Sequence, residues 1–134
     1  MREIKFRGRD GDDWYYGSLF VNECGHTVIS APKSFWMKPV NADTVGQYTG
    51  LKDCKGREIY EGDVVEFNDS WHDINGNYCE KMQRGYIKYD YGEFSIVTLC
   101  GEAFLRLLST CVQSDTLIVI GNVYDNPELL EVEA

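Results

Sequence analysis

Short runs of alternating apolar and polar residues, separated by Gly-, Asp- and Asn-rich breaks, dominate this chain, and that period-2 pattern predicts strands rather than helices. Ile4-Lys5-Phe6-Arg7 alternates apolar and basic, Asp10-Gly11-Asp12-Asp13 supplies a polar turn, and residues 14–21 return. Residues 3–21 therefore predict a hairpin. Thr27-Val28-Ile29-Ser30 reads as a further strand, and the two prolines, Pro32 and Pro39, restrict residues 35–40 to an edge strand or an irregular apolar segment.

Asp53-Cys54-Lys55-Gly56 has the residues of a type I turn, with Asp first and Gly last. Glu61-Gly62-Asp63 breaks the chain before a strand at 64–67. Residues 68–77 are a mainly polar excursion and predict a loop, followed by strands at 81–89 and 94–99. Residues 104–108 fit a helical turn or a strand equally well. Leu117-Ile118-Val119-Ile120 is apolar on both faces, which predicts a central strand covered on two sides. Asn126-Pro127 resembles an N-cap followed by proline at the first helical position, opening a short C-terminal helix.

Composition adds limits. A chain of 134 residues fits one domain, 1–134, able to bury a core of its own. Net charge is −9, from 22 acidic and 13 basic residues, so most of the surface repels phosphate backbones. The one basic candidate is Arg2, Lys5, Arg7 and Arg9, whose alternation reads as the solvated face of a strand. Five cysteines, an odd number, and the absence of an apolar export segment point to a cytoplasmic protein with reduced thiols. No run approaches the roughly 18 apolar residues of a membrane span.

Four segments, in order, resemble the YopX family of small phage and prophage proteins. They are Arg2-Glu3-Ile4-Lys5-Phe6-Arg7; Gln47-Tyr48-Thr49-Gly50-Leu51-Lys52-Asp53; Gly56 with Glu58-Ile59-Tyr60-Glu61-Gly62-Asp63-Val64-Val65; and residues 120–130, with Gly121, Asn122 and Pro127. The resemblance implies a mainly β fold with a small SH3-like barrel, here over roughly 44–124, additional N-terminal strands and a short C-terminal helix. It also implies a homo-oligomer. Residues 24–41 and 68–83 carry no family signature, so any specificity of this member is expected there.

Catalytic chemistry finds little support. Asp73-x-Asn75-x-Asn77 opens like a calcium loop, but Tyr78 and Arg84 stand where that loop requires Gly and Glu. Cys24, His26, His72 and Cys79 are zinc-competent atoms without the paired Cys-x-x-Cys spacing of a structural site. The expectation is no metal, no cofactor and no catalytic set. Aromatic residues have two readings, cross-strand packing or a groove for an extended peptide. Trp14, Tyr16, Trp71, Tyr86 and Tyr91 are the candidates for partner contact, whereas Tyr48 and Tyr60 flank the turn segment and read as structural. The sequence thus favours a non-catalytic binding module acting on a protein partner. The alternatives are a nucleic-acid module using the basic N-terminal strand, and a carboxylate-dependent hydrolase.

Overall fold

The computed structural model describes residues 4–30, 37–90, 92–98, 105–107 and 116–130. These residues form the strands β1 (Phe6–Asp10), β2 (Asp13–Val21), β3 (Thr27–Ser30), β4 (Met37–Pro39), β5 (Asn41–Lys52), β6 (Glu58–Tyr60), β7 (Asp63–His72), β8 (Tyr78–Asp90), β9 (Glu93–Thr98), β10 (Leu105–Leu107) and β11 (Ile118–Asn122). They build two sheets, ordered β4-β3-β2-β1-β5-β6 and β10-β9-β8-β7-β11, with antiparallel pairing wherever the register is described. Among the described residues each sheet has two open ends, so the SH3-like closure expected from the family is not seen.

The chain divides into two compact units, residues 1–50 and 51–134. In the first, β1 and β2 pair from Phe6↔Gly17 to Asp10↔Asp13 across a Gly11-Asp12 turn. β3 brings the buried Val28 and Ile29 beside β2. Pro39 stands opposite Val28 on β4, at the end of its sheet, where a missing N–H breaks no ladder bond. In the second unit Ile59, Val65, Phe67, Ile87, Phe94, Ile96 and Leu117 form one core cluster, with Leu51 and Val119 packed against it.

Three hairpin connections share one turn. In Asn22–His26, Asp53–Arg57 and Asp73–Asn77, the first residue donates its backbone N–H to the fifth carbonyl, and the glycine at the fourth position donates to the first carbonyl. The leading Asn or Asp accepts the N–H groups of the third and fifth residues on its side-chain oxygen, at 2.8–3.0 Å. Gly25, Gly56 and Gly76 have φ of 83°, 81° and 81°, the left-handed conformation that closes a three-residue hairpin loop.

Three expectations are corrected. Residues 68–77 are not a long loop: β7 and β8 stay in register out to His72↔Tyr78, and only 73–77 turns. The run 117–120 is not central: among the described residues β11 ends its sheet and pairs only with β7. The C-terminal helix is a four-residue 3-10 turn, Pro127–Leu130. The Asn126 side chain accepts from Asn122 N–H behind it, and Leu129 N–H bonds Asn126 C=O at the i−3 spacing of a 3-10 turn.

Candidate functional site

Trp14 and Tyr16 alternate along β2 and so share a face. Register places Arg9 opposite Trp14 and Arg7 opposite Tyr16, which puts two cations and two aromatic rings together. The Arg7 guanidinium lies 4.7 Å from the Trp14 ring centre, and Lys5 Nζ lies 5.1 Å from that of Tyr48. Arg7 is 5% exposed, so it is not part of a solvated strand face as its alternation predicts. A delocalised guanidinium tolerates burial against an aromatic face better than an ammonium does. Tyr16, 47% exposed, is the accessible ring of this group. On the opposite face Lys38 reaches Tyr15 and the Asp10 carboxylate, which at 3.1 Å pushes its ammonium pKa up. Arg2 lies outside the described residues.

The other aromatic candidates belong to the second unit. Tyr86 is half-buried opposite Val64 at the base of the β7–β8 hairpin. Trp71 stands near the hairpin tip, opposite Cys79, with only its backbone described. Tyr91 lies outside the described residues. The structure brings together Trp14 and Tyr16 on one strand face and places Tyr86 and Trp71 along one hairpin.

The signature residues make framework. Tyr48, Thr49 and Tyr60 are buried, and Gln47 pairs with Phe6 in β5. Gly50 and Gly62 take φ of 85° and 92°. Gly62 donates to Ile87 C=O and accepts from Val123 N–H, while buried Asp63 accepts from Tyr60 N–H at 2.8 Å. Around Gly56, Asp53 Oδ1 holds its own turn and Oδ2 accepts from Val119 N–H at 3.0 Å. Cys54 N–H donates to Leu117 C=O and Arg57 to Val119 C=O, so the turn is tied to the last strand. Burial raises the Asp53 pKa, but the N–H groups of Val119, Arg57 and Lys55 and the Arg57 charge together hold it below the ordinary carboxylate value. Asn122 accepts from Tyr124 and Asp125 N–H ahead of Pro127.

Beyond this framework the β7–β8 hairpin continues as a two-stranded arm. Among the described side chains from 68 to 84, none belongs to the core cluster. The arm is held by its ladder, by an Arg84–Glu66 ion pair at 3.8 Å and by an edge-on His72–Tyr78 ring contact. Glu80 accepts from the Tyr78 hydroxyl at 3.1 Å and from the Asn68 amide. Ile74 at the tip is fully exposed, and Tyr78 and Met82 are 62% and 56% exposed. Ile74 and Met82 were not among the sequence candidates; the Asp73-x-x-Gly76 spacing, repeated from Asp53-x-x-Gly56, was the signal that marks a hairpin here. Replacing Asp73 with Ala should loosen this tip without melting the core. Its carboxyl is held below the ordinary value chiefly by Asn77 N–H, on an open surface. The check is amide exchange, faster at 72–78 and unchanged at 64–67.

Among the described residues no group of three or more His, Cys, Asp or Glu side chains could hold a metal ion. Cys24 and His26 lie in the first unit, and His72 and Cys79 on the arm in the second. No helix among the described residues is long and apolar enough to cross a membrane.

Comparison with known proteins agrees with this framework. The model of the YopX protein family matches residues 7–131. The crystal structure of protein EF1440 from Enterococcus faecalis is similar, with a TM-score of 0.57, 23% sequence identity, and coverage of 98% of this chain and 100% of that one, a likeness of fold. No curated protein matches the chain.

Proposed function

The chain belongs to the YopX family, and from that premise we propose that it is a phage or prophage accessory protein that acts without catalysis, by binding another protein through the β7–β8 arm. The observation that carries this reading is the exposure of Ile74, Tyr78 and Met82 on a ribbon none of whose described side chains joins the core cluster. An isolated two-stranded ribbon is marginally stable, and apolar side chains held out on one are a cost to the free protein. A partner that covers them offsets that cost. The arm also falls largely within residues 68–83, where the family signature is absent.

Charge defines the partner further. Residues 1–50 contain six basic and six acidic residues, whereas 51–134 contain seven basic and sixteen acidic, so the entire −9 belongs to the second unit. A basic protein would be drawn to the unit that bears the arm. The N-terminal cations serve nucleic acid less well, since Arg7 is buried on Trp14.

Two results test the reading. Tagged protein incubated with lysate of phage-infected bacteria should retain a stoichiometric protein that survives nuclease treatment. Loss of all partners on nuclease treatment would contradict it. Replacing residues 70–80 with Asn-Gly, which closes the hairpin between Asp69 and Lys81, should change Tm by no more than about 4 °C, or about 1 kcal/mol. Cooperative unfolding at a far lower temperature would show that the arm is structural.

A further inference from the structure

We propose, resting on the protein-binding reading above, that the outer edge of β8 in the arm takes an extended basic segment of the partner as an added strand. The arm exposes backbone as well as side chains. β9 pairs with β8 only over residues 85–90, and β11 pairs with β7 only over residues 63–66. Among the described residues no strand lies beside 78–84, so that seven-residue edge presents N–H and C=O groups in strand geometry. Strand addition uses such an edge for affinity and alternate side chains for selection.

The selecting side chains are Tyr78, Glu80 and Met82, which share one face of β8. Two exposed apolar groups flank a carboxylate that the Tyr78 hydroxyl and the Asn68 amide hold in place. An incoming strand sets its residues directly beside these three. The complement is an apolar residue, then Lys or Arg two positions on, then an apolar residue two further on. A second copy of this chain fits poorly. The antiparallel self-pairing that sets Tyr78 beside Met82 also sets Glu80 against Glu80, and like charges directly opposite are destabilising. Glu80 thus guards the edge against its own kind while leaving it open to a basic strand.

The test uses a fluorescein-labelled peptide in which valine, lysine and valine alternate with threonine, titrated into the full chain and read by anisotropy. Two further versions carry methylated backbone nitrogens, one at the first, third and fifth positions, the other at the positions between. Binding should saturate, fall by about tenfold or more with one methylated set, and persist with the other. Glu80→Lys should weaken the lysine peptide, and exchanging that lysine for glutamate should restore binding, which also shows the variant to be folded. Absence of binding, or indifference to both methylated sets, overturns strand addition. If no peptide binds yet the intact chain retains a lysate protein that the shortened arm loses, strand addition fails and the protein-binding reading stands. If neither binds, both fail.

Discussion

Replacing Asp53 with Asn should lower stability by about 2 kcal/mol, a Tm decrease of about 6–10 °C, although the two side chains have nearly the same shape. Asp53 uses both oxygens as acceptors: Oδ1 for the Lys55 and Arg57 N–H groups and Oδ2 for Val119 N–H. A carboxamide has one acceptor oxygen, so either the turn or Val119 faces an NH2 group and loses its bond. Asp53→Ala removes both acceptors and with them all three bonds, and should cost about 3 kcal/mol or more. The pH dependence has a definite sign. The folded carboxyl has a pKa below its ordinary value of 3.8, so its stabilisation is complete above that pH and is lost as pH falls through the lower folded value. The gap in stability between the native chain and Asp53→Asn should therefore be widest near neutrality and narrow below about pH 3.8. Thermal melts at a series of pH values measure it. A gap that grows on acidification would contradict the assignment.

Gly85→Ala should be at least as damaging, about 3 kcal/mol, for a steric reason. A Cβ at this position would lie 2.5 Å from the Val97 carbonyl oxygen and 2.6 Å from Ile96 Cγ2. Gly85 stands between Val65 on β7 and Thr98 on β9, at the centre of the five-stranded sheet. Relief requires the β8 and β9 backbones to separate, because a carbonyl in a ladder has no rotamer to adopt. Denaturant unfolding should show a lower midpoint with an unchanged slope. A midpoint equal to that of the native chain would mean that β8 and β9 are not packed as described.

What the chain writes legibly is what local chemistry enforces. Asp53 and Gly56 announce their turn because a side-chain acceptor and a left-handed glycine are needed at those two places. The same pair recurs at Asn22/Gly25 and Asp73/Gly76, yet the strands that the second turn joins are not legible. Residues 78–83 are exposed or half-buried throughout, so no apolar alternation records that they form a strand. Leu117–Ile120 misleads in the opposite sense, since its apolar run suggests a centre and β11 lies at an end. Arg7 reads as a solvent residue from alternation alone, because the ring beneath it arrives from another strand. Whether a sheet closes depends on its first and last strands, a long-range property that turn chemistry does not encode. The arm was therefore the least legible element, and only its turn spacing gave it away.

The account stands most directly on one comparison: quantitative capture of partner protein from the same nuclease-treated lysate by the intact chain and by the chain whose arm is closed between Asp69 and Lys81. It predicts a stoichiometric protein on the intact chain and none on the shortened one, with both chains folded. Equal retention by the two would contradict it and move the contact surface away from the arm.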